Sequence, residues 1–152
     1  MNKITLFCIT LSLGFLFVAC NKEDVYTASY KFVIEGVQEE IAAAYEEGDY
    51  IDIKVSVIDY NYKEPLHTEP QSYGRKEETK AKLVYENSEW VLYSEQDNWN
   101  LRKTAISVVA HHLDNCTVDI YTDYPPHPIG AGERRHMPFS TGEQVITLSL
   151  PK

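Results

Sequence analysis

The sequence predicts an all-β protein, an antiparallel β-sandwich of about seven strands. Three observations lead there. Apolar residues recur mostly with a period of two, turn-forming residues separate the alternating runs, and no long segment carries the 3.6-residue period of a helix. An immunoglobulin-like or transthyretin-like topology fits this pattern, with a small β-barrel as the alternative architecture.

The elements follow in order. Tyr30 to Glu35 places Tyr30, Phe32 and Ile34 on one face of a first strand. The clearest strand is Tyr50 to Asp59, where Ile51, Ile53, Val55 and Val57 alternate with Asp52, Lys54 and Ser56. Between them, Gln38 to Glu47 reads either as a short helix around Ile41-Ala42-Ala43-Ala44 or as an edge strand, and Gly48 would end either. A hairpin of Lys80 to Glu86 and Glu89 to Ser94 is predicted around Asn87-Ser88, because Asn tolerates the positive φ of a type I′ turn. Its two-residue register sets Tyr85 against Trp90 and Leu83 against Leu92 on one face, and Val84 against Val91 on the other. A second hairpin is predicted from Thr104 to Leu113 and Cys116 to Thr122, with Val109, His111, Val118 and Ile120 on one face. The last strand, Gln144 to Leu150, turns Ile146, Leu148 and Leu150 inward. Two loops remain: Pro65 to Arg75, and the long Tyr124 to Gly142 with four prolines and three glycines. Loops of that length in compact domains are often functional.

The first 19 residues stand apart from this pattern. Met1-Asn2-Lys3 is a short basic start, followed by an apolar run from Ile4 to Ala19. As a helix the run reaches about 24 Å, short of a hydrocarbon core of about 30 Å, so it reads as a signal peptide. It ends in Phe17-Val18-Ala19-Cys20, which resembles the lipobox of bacterial lipoproteins, with Phe17 where Leu is usual. The resemblance implies cleavage before Cys20 and acylation there, enough for stable membrane anchoring. The residues that follow, Lys22-Glu23-Asp24, resemble the export signal of surface-exposed outer-membrane lipoproteins of Bacteroidota. That resemblance implies an outward-facing protein, with the periplasmic face as the alternative. The expected organisation is a signal peptide over 1–19, an anchor and tether over 20–29, and one domain over 30–152.

Removing 19 of the 152 residues leaves 133, and the net charge of −9 becomes −10 because Lys3 is lost. Such a balance argues against nucleic acid as a partner, since phosphates are met mainly by Lys and Arg. Cys8 leaves with the signal and Cys20 becomes the anchor, so Cys116 stands alone and a hydrophobic core must hold the domain. All eleven Tyr are retained.

No motif states a chemistry. His111 and His112 are adjacent, so on a strand they would face opposite ways and could not chelate together. No His-x-x-x-His, Cys-x-x-Cys or Gly-x-Ser-x-Gly occurs, and no metal or cofactor is expected. Cys116 reads as a small apolar residue closing a hairpin rather than as a thiolate beside His111 and His112. Glu95 to Asn100 is rich in oxygen ligands but lacks the EF-hand order. The candidate ligand contacts are the loop aromatics Tyr60, Tyr62, Trp99 and Tyr124, whose rings could stack on sugars or peptides, together with His127, Arg134, Arg135 and His136 in the long loop. Arg102-Lys103 is the other compact basic group, and Trp90 is expected in the core. The favoured reading is a lipid-anchored, non-catalytic binding or accessory module, with a glycan, a host protein or an outer-membrane partner as ligand. The alternatives are a small hydrolase using the 124–142 loop through His127 and His136, and a structural envelope or fimbria-like subunit.

Overall fold

A computed structural model describes residues 24–61, 74–124 and 132–149. Among them nine strands form two packed sheets: β1 (Tyr26–Glu35), β2 (Tyr50–Asp59), β3 (Arg75–Glu86), β4 (Glu89–Ser94), β5 (Arg102–Lys103), β6 (Ile106–Ala110), β7 (Cys116–Asp123), β8 (Glu133–Pro138) and β9 (Gly142–Ser149). The smaller sheet has the order β6-β1-β9 and the larger β5-β4-β3-β2-β7-β8. Both are open, so the architecture is a sandwich and not a barrel. The two sheets face each other, and within the smaller one β1 and β6 are antiparallel. β9 pairs with β1 in parallel from Ala28↔Gly142 to Glu35↔Ser149, so the sandwich is not wholly antiparallel.

β2 forms as its alternation requires. Ile51, Ile53, Val55 and Val57 are buried, and together with Tyr30, Val118, Ile120 and Leu148 they make the main core between the sheets. The first hairpin has the expected register, Tyr85↔Trp90, Val84↔Val91 and Leu83↔Leu92. Its turn residues Asn87 and Ser88 have φ of 50° and 64°, as a type I′ turn demands. The ambiguous segment is a helix, α1 (Gln38–Ala44), which has no side-chain N-cap. Seven residues are too few to hold a helix alone. Tertiary packing supports it: Ile41, with Tyr45 just after the helix, packs on Tyr85 and half-buried Trp90 in a second, smaller cluster. There the Tyr45 and Trp90 rings meet edge to face at 5.2 Å.

Several expectations are corrected. β1 begins at Tyr26, so the tether ends before it, and not at Ser29. β3 reaches back to Arg75, beyond the expected Lys80. The second hairpin does not form: β6 pairs with β1, while β7 lies in the other sheet between β2 and β8. Both segments alternate, and each buries its apolar face from opposite sides of the sandwich, so the short turn between them crosses from sheet to sheet. In consequence Ile106, Val108 and Ala110 point inward and Val109 outward. The long loop contains β8, paired from Thr117↔Pro138 to Thr122↔Glu133. Expected position Leu150 lies outside the described residues.

The turn supplies a test. Ser88 holds a positive φ that glycine adopts freely, and its carbonyl, which accepts from Gln38 Nε2 at 2.7 Å, survives substitution. Ser88→Gly should raise stability by about 0.5–1 kcal/mol, read as a higher urea midpoint at an unchanged slope.

Candidate functional site

The outer face of the larger sheet is built by the residues of β2, β3 and β7 that alternate with the core. Lys54 stands opposite Lys80 on one side and Tyr121 on the other, and Tyr121 stands opposite Arg134 of β8. One row further, Asp52 lies between Lys82 and Asp123. At the β3 side this face is closed by a 3-10 turn (Glu95–Asp97) that carries Trp99. The result is an open hollow of about 660 Å³ between Trp99 and Glu95 on one wall and Tyr121, Gly132, Glu133 and Arg134 on the other.

Cations sit against the rings. Lys54 Nζ lies 4.8 Å from the Tyr121 centroid and Arg134 5.2 Å from it, while Lys82 Nζ lies 4.5 Å from Tyr50 and 5.4 Å from Trp99. The lining holds four cations (Lys54, Lys80, Lys82, Arg134) and four carboxylates (Asp52, Glu95, Asp123, Glu133), so donors and acceptors are balanced. The ammonium of Lys80 has no ion-pair partner among the described residues.

The turn bearing Trp99 is braced and strained. Ser94 Oγ accepts from Gln96 N at 3.4 Å, Asp97 pairs with Lys103 at 2.9 Å, and the Trp99 amide donates to the Ser94 carbonyl at 3.3 Å. Asn98 and Trp99 are both left-handed, with φ of 53° and 60°. Asn adopts that conformation readily, whereas a bulky Trp does so at a cost of order 1 kcal/mol or more.

Beside the hollow, a row crosses four strands: Glu78, Ser56, Asp119 and His136. Asp119 is 3 % exposed and accepts from Arg134 Nη2 at 2.8 Å and bonds His136 Nδ1. Burial alone would raise its pKa, but the hydrogen bonds from His136 and then Arg134 outweigh it and hold the carboxyl below its ordinary 3.8. Ser56 is fully buried and donates to Glu78 at 3.3 Å. The carboxylate stands between hydroxyl and imidazole, so His136 cannot take the Ser56 proton and no Ser-His-Asp relay is formed.

Of the expected contacts, Trp99 and Arg134 are brought together at the hollow. His136 is on the same face but engaged with Asp119. Arg135 turns the other way, bridging Glu133 at 2.9 Å and donating to the Thr147 carbonyl of β9. Tyr124 is corrected from a loop ring to a core residue, buried with its hydroxyl 3.5 Å from the Ser149 carbonyl. Tyr60 is exposed in the turn beyond the far end of β2 and does not line the hollow. Tyr62 and His127 lie outside the described residues, as do Cys20, Lys22 and Glu23, while Asp24 is exposed just before β1. Sequence reasoning missed Tyr121, Lys80 and Asp119. The outward alternation Asp119, Tyr121, Asp123 along β7 was the signal that could have located them.

At the opposite end, Cys116 is buried and its thiol is pushed up to about 11 by burial and by the neighbouring Asp59 carboxylate. Such a thiol stays protonated at neutral pH, unlike an activated nucleophile. Asp59 in turn bonds His112 Nδ1 at 2.7 Å. No group of three or more His, Cys, Asp or Glu side chains is arranged to hold a metal among the described residues.

The Asp119 cluster gives a pH test. Because its folded pKa is depressed, its contribution is complete above the unfolded value of 3.8 and is lost as pH falls through the folded pKa. Asp119→Asn should cost about 1–3 kcal/mol near neutral pH. The gap in Tm between the two proteins should stay level down to about pH 4 and narrow below it.

Comparison with protein-family models, with curated proteins and with solved structures yields no match, so the hollow is read from its own residues.

Proposed function

We propose that this chain is a lipid-anchored, outward-facing binding module of the outer membrane, and that the hollow on the larger sheet takes a polyhydroxylated ligand such as a glycan. The carrying observation is Trp99, retained in a left-handed conformation at the rim of an open hollow. Strain of this kind concentrates where a side chain is needed in one place. The balanced lining supports the ligand class. Four cations and four carboxylates offer donors and acceptors together, as a ligand rich in hydroxyls requires and a simple anion does not. Trp99 and Tyr121 supply apolar surface for the ring faces of a sugar, and Lys80 is a donor without an ion-pair partner among the described residues.

The anchoring half of the reading rests on Phe17-Val18-Ala19-Cys20 and Lys22-Glu23-Asp24. With β1 starting at Tyr26, the five residues from Asn21 to Val25 span at most about 18 Å, so the domain would stand close to the membrane.

Two measurements test it. On a glycan array and by calorimetry, the wild type should bind a defined glycan, and Trp99→Gly should weaken it about tenfold or more while leaving stability equal or raised by about 1 kcal/mol. Tyr121→Ala should weaken binding likewise and Tyr60→Ala should leave it unchanged. Binding that ignores Trp99 and Tyr121, or no binding to any glycan, counts against the hollow. Separately, cells expressing the full chain and fed an alkyne-palmitate should label the wild type and not Cys20→Ser. Unlabelled wild type rejects the anchor.

A further inference from the structure

A second feature, independent of the hollow, lies at the corner where the two sheets part. β6 runs along β1 only as far as Tyr30↔Ile106, whereas β9 continues on the other side to Glu35↔Ser149. From Lys31 to Glu35, β1 therefore has a strand on one side only among the described residues. The facing strand is in the same condition. β5 pairs with Leu92 and Tyr93 alone, so among the described residues Glu89, Trp90 and Val91 have a paired strand only in β3. Strand geometry turns alternate N–H and C=O groups of both segments toward the gap.

The gap is a slot of about 560 Å³. Three consecutive residues from each strand line it, Lys31-Phe32-Val33 and Trp90-Val91-Leu92, which is how a strand edge is exposed, as opposed to a sheet face. The apolar surface includes buried Leu83 and Leu92, half-buried Phe32 and Val33 at 48 % exposure. The indole N–H of Trp90 is buried and has no acceptor among the described residues. The charge at the slot is one-sided. Lys31, Arg102 and Lys103 line it, and among the described residues no carboxylate does, in a chain with 23 acidic and 14 basic residues. Each cation does touch a carboxylate outside the lining: Glu143 at 2.8 Å, Glu89 at 3.7 Å and Asp97 at 2.9 Å. These pairs involve partly exposed side chains, and exposed pairs have a small net strength that a docking carboxylate can replace.

We infer that this slot binds an extended, acidic peptide segment of a partner protein by strand addition to β1. The backbone edge asks for N–H and C=O groups at strand spacing, which an extended peptide supplies and a sugar or lipid does not. Alternate apolar side chains of the peptide cover Leu83, Phe32 and Leu92, one of its carbonyls lies within reach of the Trp90 indole, and its carboxylates meet Lys31 and Arg102. The three residues of β1 that line the slot, Lys31 to Val33, accept about 10 Å of strand.

The probe is a fluorescein-labelled Glu-Val-Glu-Val-Glu-Val-Glu peptide, titrated by anisotropy against the full chain in detergent. Saturable binding that weakens with salt is expected, together with slowed amide exchange at residues 31–35. Neutralising the rim with Lys31→Gln and Arg102→Gln should weaken binding about tenfold at an unchanged urea midpoint. The same peptide N-methylated at every backbone nitrogen, which keeps the charge and loses the donors, should not bind. The inference is overturned if a Lys-Val counterpart or the N-methylated peptide binds as well, or if no saturation appears by millimolar peptide. It is equally overturned if exchange at 31–35 is already as slow as in β2 without peptide, since the chain then fills its own slot. Dimerisation of the protein without uptake of the probe has the same meaning.

Discussion

β2 is ten residues long, and from Ile51 to Val57 its side chains divide between two tasks. Ile51, Ile53, Val55 and Val57 close the core, while Asp52, Lys54 and Ser56 form the outer face. A slip of one residue would drive the charged set inward and the isoleucines into water. The neighbouring strands follow this register. Leu83 and Ala81 meet Ile51 and Ile53 inside, and outside Lys80 and Tyr121 meet Lys54. Core and hollow are thus two faces of one pairing, and the burial that stabilises the first positions the second.

Toward its β8 edge the same sheet relies on charge where it lacks apolar surface. β8 is Glu-Arg-Arg-His-Met-Pro, and it buries none of these residues fully. Its place is set by the ladder to β7, by Arg134 and His136 on Asp119, and by the reach of Arg135 to β9. A buried carboxylate held by a guanidinium and an imidazole contributes stability only while it is ionised, which ties this edge to pH. Charged side chains also protect an exposed edge from pairing with other chains. The corner between β1 and β4 carries charge of one sign along its lining, from Lys31, Arg102 and Lys103. There three strands face six, α1 covers only the end nearest Tyr85 and Trp90, and the remainder is open backbone between apolar side chains.

How far these features were legible depended on how local their causes are. The strand at 50–59 and the Asn87-Ser88 turn depend on neighbours within a few residues, and both appear as expected. The pairing of β6 with β1 depends on residues some eighty positions apart. Two alternating apolar runs joined by Asp114-Asn115 look the same whether they pair or face each other across a core. β8 escaped notice because an edge strand held by charge has no apolar alternation. At the site, Trp99 and Arg134 were legible as an aromatic and a cation in loops, while Tyr121 was hidden by sitting in a strand otherwise read as core.

What the sequence determined by itself is the class of fold and the faces of its best strands, because period-two alternation and turn residues act over short range. It also carries the terminal Cys20 segment, whose meaning lies in its order of residues and not in any fold. The tertiary structure decided which strand lies beside which, that the first and last strands run parallel, and that Trp99, Tyr121 and Lys80 share one hollow. Those outcomes depend on which buried surfaces fit together across the sandwich, a choice made by packing between distant segments.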